Sequence, residues 1–259
     1  MTIQVLVVTM NQTDYSLLDK MNIQTDAIVC NQCDRYDYSE FNYKGHNIKW
    51  FSFAERGVGI NRNNALMRAT ADISVFADDD VVYVDGYDKI IKDYYKKNPK
   101  ADAVFFNFEV FKGGRSNKTV KQERRLSFKN ATSFGTVSIT AKTNKIKMNN
   151  INFHRGFGGG TEFSCGEDTL FIKDCCKKLK VYSCLTLLGR VNNEESTWFK
   201  GYNDKFFYDK GVLYYCLDKT FCKLMALYHC YKHRRIYKAY GWKKAYKMMK
   251  KGINEFIKI

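Results

Sequence analysis

The sequence has no long hydrophobic run and no export signal. It contains no stretch of about 18 consecutive apolar residues, so we predict no membrane-spanning helix. Its N-terminus, MTIQVLVVTMNQ, has no basic region ahead of the apolar segment and no small-residue cleavage site. We therefore interpret this segment as a first strand and expect a protein of the cytosol.

A complete ligand set for zinc is also missing. Cys30 and Cys33 form a CxxC pair, but neither a second pair nor histidines at metal-binding spacing accompany it. The nine cysteines are an odd number in a chain without an export signal. We interpret them as reduced thiols with structural roles.

Acidic residues are scarce relative to basic ones, and the imbalance is concentrated at one end. The formal net charge is +16, and residues 218–259 hold twelve Lys and Arg against only Asp218 and Glu255. Such a charge favours a polyanionic partner, which could be a phosphorylated substrate, an anionic membrane or nucleic acid. Because most of the charge lies in one tail and no nucleic-acid-binding motif occurs, we expect no nucleic acid partner. A non-enzymatic nucleic-acid-binding protein is the alternative.

Proline occurs only once, so little interrupts the regular pattern of the chain. Strands are predicted at residues 3–9, 26–30, 47–53, 73–77, 103–108 and 181–188, and helices at 60–71, 87–97 and 166–179. Pro99 stops the helix at 87–97. This alternation predicts an α/β fold with a mostly parallel sheet flanked by helices. We divide the chain into a domain of residues 1–215 and a basic, amphipathic helical tail of residues 216–259.

Three consecutive aspartates, Asp78, Asp79 and Asp80, follow the predicted strand at 73–77. Alternation along an extended chain would place Asp78 and Asp80 on the same side. Neighbouring carboxylates repel one another unless a cation neutralises them, and Mg²⁺ or Mn²⁺ suits one or two carboxylates completed by phosphate oxygens. Ligands of parallel α/β sheets bind beyond the carboxyl ends of the strands, where these residues lie. A solvated acidic turn or a helix N-cap is the alternative.

Two glycine-rich segments flank predicted helices. The sequence GVGINRN around Arg62 lacks the third glycine of a dinucleotide fingerprint, so we reject NAD binding and predict a tight turn that brings Arg62 towards a nucleotide. The run Gly158, Gly159, Gly160 favours close approach to a ligand. Glu167 and Asp168 then open a helix, where they either stabilise its N-terminus or deprotonate an acceptor hydroxyl.

Four motifs, in this order, resemble those of the family 2 glycosyltransferases of the GT-A fold: VVTMNQ, GVGINRNNAL, FADDDV and CGEDTLF. The resemblance covers roughly residues 1–215 and implies a Rossmann-like, mixed but mostly parallel sheet. It also implies an inverting hexosyl transfer from a UDP-sugar donor, with Mn²⁺ or Mg²⁺ as cofactor. The rival within enzymes is another metal-dependent nucleotidyl or phosphoryl enzyme, which would need further acids for a second metal.

The resemblance assigns the nucleotide to residues near the strand ends. Thr9 and Asn11 would line the base pocket, and Arg62 would contact the uracil or its surroundings. Many members of the family carry an aspartate after the second strand, where this chain has NQCD. Either Asn31 or Asp34 would therefore bind the base edge.

The resemblance assigns the diphosphate and the chemistry to the acidic residues. Asp78 would reach the ribose or uracil, Asp79 belongs to the same nucleotide-sugar site, and Asp80 would hold the metal, with Asp78 as a second candidate ligand. Asp168 would be the general base, with Glu167 as the less favoured choice.

The acceptor side is assigned to Gly159, Gly160 and Trp198, whose indole could stack on a sugar or pack in the core. The short segments NQCD, FGGG and ESTWF resemble those of bacterial capsule and exopolysaccharide enzymes. This resemblance implies a glycan or lipid-linked acceptor in polysaccharide biosynthesis.

Residues 242–258 form an amphipathic pattern at helical spacing. One face carries Trp242, Tyr246, Met249, Ile253 and Phe256, and the other carries six lysines. The helix either packs on the domain with a solvated lysine face or lies on an anionic membrane surface. We expect the second, which would make the protein peripheral to the inner face of the cell membrane.

Overall fold

Alternating apolar segments of the chain build one mixed sheet with helices on both faces. The computed structural model describes residues 1–112, 120–132, 134–192 and 201–258. Within them, the strands are β1 (Ile3–Met10), β2 (Asp26–Gln32), β3 (Asp37–Tyr43), β4 (His46–Phe53), β5 (Ile73–Asp78), β6 (Val81–Tyr83), β7 (Ala103–Lys112), β8 (Arg124–Arg125), β9 (Ile139–Lys142) and β10 (Val181–Asn192). The helices there are α1 (Leu17–Lys20), α2 (Val58–Arg68), α3 (Tyr87–Lys97), α4 (Phe128–Ala131), α5 (Thr143–Met148), α6 (Glu167–Lys178), α7 (Asp204–Leu217), α8 (Cys222–Lys232) and α9 (Trp242–Phe256).

The strands lie in the order β3-β4-β2-β1-β5-β9-β7-β10-β6, and β8 pairs with β10. Strands β4, β2, β1 and β5 are consecutive and parallel, and β7 and β10 run the same way. The remaining described strands run antiparallel to their neighbours. The predicted mixed, mostly parallel sheet with flanking helices is confirmed.

The central strands are buried on both faces because apolar side chains occupy both sides of the pleat. In β1, Val5 and Val7 face the layer that contains α1 and α3, whereas Leu6 faces the layer that contains α2 and α6. The same alternation continues in β2 and β5. The sequences of these strands are therefore near-continuous apolar runs, and this pattern made the strands recognisable.

The nine cysteines, all within the described residues, are free thiols. Cys30 lies in the layer with α2, and burial raises the pKa of its thiol to about 12. Burial also raises the pKa of Cys175. Protonated, buried thiols of this kind behave as small apolar side chains, which agrees with the structural role expected from the sequence.

The three C-terminal helices pack against one another. Helix α7 starts at Asp204 and packs against both α8 and α9. Its Gly211 lies against the backbone of Met249, and Gly252 of α9 lies against the backbone of Tyr208. These two glycines allow the helices to cross at close range.

The basic helix α9 packs on the domain. Ala245, Met249, Gly252 and Ile253 are buried against α7 and α8, while all the lysines of the helix are exposed. The apolar face predicted from helical spacing therefore covers protein and is not free to enter a lipid layer in this conformation. None of the helices in the described ranges is both long enough and apolar enough to span a bilayer.

We expect Gly211→Ala to destabilise the protein by about 1–3 kcal/mol, because overpacking forces backbones apart. A Cβ at this position would lie 2.1 Å from the carbonyl oxygen of Met249. Urea unfolding measures the free energy of unfolding. The matched control is Gly135→Ala, where a Cβ meets no heavy atom within 4 Å and φ is −89°. Equal stability of the two variants would contradict the close packing of α7 on α9.

Candidate active site

The ends of three adjacent parallel strands bring the sequence-predicted polar residues together. In the register of the sheet, Thr9 of β1 lies beside Asn31 of β2, and Val8 lies beside Asp78 of β5. Because the strands are parallel, the polar residues that end each of them collect at one edge of the sheet. This is the edge at which open α/β sheets bind ligands.

Thr9 and Asn31 are tied together by Gln12, a residue that the sequence analysis did not single out. The Thr9 hydroxyl donates to Asp79 Oδ2 at 2.5 Å and accepts from Gln12 Nε2 at 3.0 Å. The fully buried Asn31 side chain accepts from the backbone N–H of Gln12 and donates to its carbonyl, both at 3.0 Å. Asn31 thus fixes the loop that follows β1.

Asn11 and Asp34, two other predicted base-site residues, lie at the exposed rim of this edge. Asn11 adopts a left-handed backbone conformation with φ of 55°, and its N–H donates to the carbonyl of Gln32 at 2.9 Å. The Asp34 side chain is 92% exposed and lies 4.0 Å from Arg35. Of the two alternatives for reading a base, Asn31 is built into the strand ends and Asp34 is in solvent.

The aspartate triplet is a turn and not a continuation of the strand. Strand β5 ends at Asp78, and Asp79 and Asp80 form the turn into β6. The alternation that was expected to place Asp78 and Asp80 on one side therefore does not reach Asp80. The turn nevertheless brings Asp80 close enough to Asp78 and Asp79 for its carboxylate to interact with both charges.

Asp80 is the carboxylate of the triplet with an unsatisfied buried oxygen. Its Oδ1 is buried and has no hydrogen-bond partner among the described residues. Burial, and then the negative charges of Asp78 and Asp79, raise the pKa of Asp80 to about 7. A carboxylate in this environment is stabilised by a cation, and a carboxylate oxygen is the ligand that Mg²⁺ and Mn²⁺ prefer.

Arg62 projects from α2 and joins the triplet to the N-terminus of α6. Its side chain is 7% exposed, and its guanidinium contacts Asp78 Oδ1 at 2.6 Å and Glu167 Oε1 at 3.0 Å. Burial by itself would lower the pKa of the guanidinium, but the two carboxylates outweigh it and the pKa is raised. The ring of Phe153 lies 5.4 Å from the guanidinium carbon and completes the enclosure.

The glycines of both predicted turns are required by close backbone approach. A Cβ on Gly59 would lie 2.7 Å from the carbonyl oxygen of His154. Gly158 has φ of 102°, and a Cβ there would meet Val58 and Glu167 within 2.8 Å. The carbonyl of Gly159 accepts from the N–H of Val58 at 3.0 Å. The glycines therefore allow the start of α2 to pack closely against the loop before α6.

Gly160 and Gly159 were predicted to face an acceptor. Gly160 is exposed and has φ of 80°, and Gly159 is half-buried. Both lie next to the turn at Gly57, where α2 begins. Trp198, the third predicted acceptor-side residue, lies outside the described residues.

Glu167 and Asp168 share the first turn of α6 but have different surroundings. The Glu167 side chain is 13% exposed and is held by Arg62, yet burial and the charge of Asp168 outweigh Arg62 and raise its pKa. Asp168 is half-buried, and its Oδ1 accepts from the N–H of Thr169 at 2.6 Å. Glu167 is thus engaged by Arg62, whereas Asp168 is hydrogen-bonded within its own helix, to the N–H and hydroxyl of Thr169.

Asn61 is a second residue of the site that the sequence analysis did not identify. It is buried, and its Nδ2 donates to the carbonyl of Cys30 at 2.8 Å and to that of Thr9 at 3.3 Å. It therefore fastens α2 to the ends of β1 and β2. The sequence carries no signal for this role, because the partners of Asn61 are backbone carbonyls of other elements.

The carboxylates at this edge of the sheet offer oxygen ligands of the kind that a divalent cation prefers. Among the described residues no group of three or more His, Cys, Asp or Glu side chains could hold a metal ion by themselves. A metal here would need oxygens from a bound ligand as well as from Asp80, as is usual for Mg²⁺ with phosphates. The site therefore suits a metal that arrives with a phosphorylated substrate.

Comparison with known proteins gives one family and a set of similar folds. Residues 16–160 match the family model described as glycosyl transferase family 2. That segment contains Arg62, the aspartate triplet and the glycine run, but not Thr9, Asn11, Glu167 or Asp168. A search of curated protein sequences gives no match.

Solved structures of TarS from S. aureus are similar in fold at 16% identity. TarS 1–349 aligns with a TM-score of 0.61 over 84% of this chain and 65% of that one. The same fragment in complex with UDP-GlcNAc aligns with a TM-score of 0.63 over 84% and 66%. TarS itself aligns with a TM-score of 0.60 over 83% and 39%. The chain thus spans about two thirds of TarS 1–349 and a smaller share of the longer TarS structure.

We expect Arg62→Gln to lower the free energy of unfolding by about 3 kcal/mol, because it leaves Asp78 and Glu167 without their buried partner. The double variant Arg62→Gln/Glu167→Gln should recover part of this loss, since it removes one uncompensated charge. Urea unfolding of both variants measures the two changes. Arg35→Gln, which removes an exposed arginine, is the control with an expected change below about 0.5 kcal/mol. A double variant that is less stable than Arg62→Gln would contradict the coupling.

Proposed function

The chain belongs to glycosyl transferase family 2, and from that membership we propose that it transfers a sugar from a UDP-sugar to a hydroxyl group of a glycan or lipid-linked acceptor with inversion. It is a glycosyltransferase by family. The choice of donor, acceptor and stereochemistry is the proposal. The observation that supports it most directly is the unpartnered Asp80 oxygen at the end of the central strands, across Arg62 from the acids of α6.

The nucleotide is proposed to lie along the strand ends. Thr9, Asn11 and Asn31 would line the base, with Asp34 at the rim, and Arg62, Asp78 and Asp79 would face the ribose and its surroundings. Arg62 is almost enclosed and already paired with Asp78 and Glu167. We therefore propose that it holds these carboxylates in position and that Asp78 makes the direct contact.

Mn²⁺ or Mg²⁺ is proposed to bind at Asp80. The residues fit such an ion, because Asp80 offers a buried oxygen that has no partner within the described part of the chain and stands beside two other carboxylates. Asp78 is the weaker candidate ligand, since one of its oxygens contacts Arg62 at 2.6 Å. When bound, the metal would neutralise negative charge on the leaving diphosphate.

Asp168 is proposed to be the general base. Its carboxylate would accept the proton of the acceptor hydroxyl as that oxygen bonds to the anomeric carbon and the bond to UDP breaks. Glu167 is the alternative base. Its contact with Arg62 at 3.0 Å favours instead a role in holding Arg62 in position. The positive end of the α6 helix dipole would favour negative charge at Asp168 during the whole reaction.

The acceptor and the cellular setting are proposed from the less specific features. Gly159 and Gly160, and Trp198 beyond the described residues, would form the acceptor side. A lipid-linked or glycan acceptor of polysaccharide or capsule biosynthesis would place the enzyme in the cytoplasm at the inner face of the membrane. The exposed lysines of α9 would then attract anionic lipid.

The donor proposal predicts metal-dependent binding of UDP that depends on Asp80. Calorimetric titration should show UDP binding at least about tenfold more tightly with Mn²⁺ than without it, and Asp80→Asn should lose that gain. Asp93→Asn, which changes an exposed aspartate of α3, is the matched control. A metal-dependent gain that persists in Asp80→Asn would contradict the assignment. UDP-GlcNAc, found with TarS, is the first donor to screen with other nucleotide sugars.

The base proposal predicts that Asp168→Asn loses transfer but keeps the donor. UDP release from the donor identified by the screen, with a membrane glycolipid extract as acceptor, should fall by at least about a hundredfold because the proton has no acceptor. Calorimetry should show UDP affinity within about threefold of wild type. Asp174→Asn on the same helix is the control. Wild-type rates in Asp168→Asn would remove Asp168 from this role.

A further inference from the structure

Helix α8 is apolar on two opposite faces, but only one of them is covered. Cys222, Ala226 and Cys230, spaced four residues apart, are buried against α7 and α9. On the other side, Leu224 and Tyr228 are 63% and 62% exposed, and Leu227 and Tyr231 are also exposed. We call this second set, with Phe221 at the start of the helix, the α8 outer face.

The α8 outer face is a continuous stripe with lysines at its edges. At about 100° per residue, Leu224, Leu227, Tyr228 and Tyr231 span roughly 100° of the helix surface, opposite to the buried face. Lys223 and Lys232 fall about 90° to either side of its centre. Exposed apolar side chains that form such a stripe usually mark a contact surface, unlike single ones.

The cations at the end of the helix are held over its aromatic rings. The Arg234 guanidinium carbon lies 4.4 Å from the centre of the Tyr231 ring, and Lys232 Nζ lies 5.8 Å from that of Tyr228. Long basic side chains arranged in this way place their stems along apolar surface and their charges at its border. Tyrosine likewise suits a boundary between apolar and aqueous surroundings.

The charge around the stripe selects its occupant. All twelve basic residues from Lys219 to Lys258 are exposed, and only Asp218 and Glu255 oppose them. A second copy of the chain would bring one strongly basic surface against another, which like charges disfavour. An anionic lipid surface offers both negative headgroups for the lysines and an apolar layer for Leu224 and the tyrosines.

We propose that the α8 outer face is the part of the protein that inserts into the surface of an anionic membrane. This inference rests on the membrane attachment in the proposed function. It moves the inserted apolar surface from α9 to α8. The apolar face of α9 is occupied by α7 and α8, so α9 contributes lysines, whereas α8 contributes the apolar side chains.

Flotation with lipid vesicles tests the inference on the full chain. The vesicles contain phosphatidylcholine with about 30% phosphatidylglycerol, or phosphatidylcholine alone, at about 0.1 M and about 0.5 M NaCl. The α8 variant is Leu224→Gln/Tyr228→Gln/Tyr231→Gln. The matched control is Met67→Gln/Met148→Gln, which removes two side chains that are 65% and 78% exposed on the catalytic domain. Thermal unfolding verifies that each variant is folded.

We expect wild type and the control to float with anionic vesicles. The partition coefficient of the α8 variant should be lower by at least about tenfold at both salt concentrations. A lysine variant, Lys243→Gln/Lys247→Gln/Lys250→Gln, should lose binding chiefly at the lower concentration, where charges are least screened. Binding that is at least about tenfold weaker in the α8 variant at both salt concentrations, with the Met67→Gln/Met148→Gln control unchanged, would support the inference.

Other outcomes overturn it separately from the proposed function. If the α8 variant floats like wild type and the lysine variant does not, attachment is electrostatic and the α8 outer face is not inserted. If light scattering shows a wild-type dimer that the α8 variant converts to a monomer, while vesicle binding is unchanged, the face joins two copies. If wild type does not float, membrane attachment fails altogether. UDP release measures glycosyl transfer independently of all three results.

Discussion

The pairing of Arg62 with Asp78 and Glu167 is the interaction on which the candidate site depends. Asp78 ends the central strand β5, and Glu167 begins α6, 105 residues after Arg62 along the chain. The guanidinium suits this position because it is planar and can satisfy two carboxylates at once, which a lysine ammonium cannot do in a fixed geometry. Its burial also makes the contact stronger than an exposed ion pair, since little water screens it. The relative position of the triplet and the acids of α6 follows from this one side chain.

The same arrangement packs carboxylates close together. Those of Asp78, Asp80, Glu167 and Asp168 lie around the buried guanidinium of Arg62. The raised pKa values of Asp80 and Glu167 have this common cause, because burial and neighbouring carboxylates both disfavour the ionised form. At neutral pH, ionising neighbouring buried carboxylates costs stability. The divalent cation that we propose at Asp80 would offset part of this repulsion, and phosphate oxygens of a bound ligand would complete its coordination.

Much of this could be predicted from the sequence, and the failures have physical causes. The strands β1, β2, β4 and β5 were recognisable because both of their faces are buried, so their apolar runs are uninterrupted. The edge strand β3 and the short strands β6 and β9 were missed, because they alternate with polar residues or have only three or four residues. Asp78, Arg62 and Glu167 could be identified by their motifs, but not their mutual contacts, which depend on how α2 and α6 pack. Gln12 and Asn61 act through hydrogen bonds to backbone carbonyls or amides of other elements, and residue type alone does not reveal such partners.

The C-terminal helices are part of the same construction and not an appendage. Gly166, which opens α6, lies against Leu213 of α7, and the fully buried Asp209 of α7 accepts from the N–H of Ser164 at 2.9 Å. Lys173 of α6 in turn donates to the carbonyl of Leu217, at the end of α7, at 2.7 Å. Helix α7 therefore supports the loop and the helix that carry Glu167 and Asp168, while its other side holds α8 and α9. A surface that docks through α8 is consequently tied by a short chain of contacts to the acids of the site.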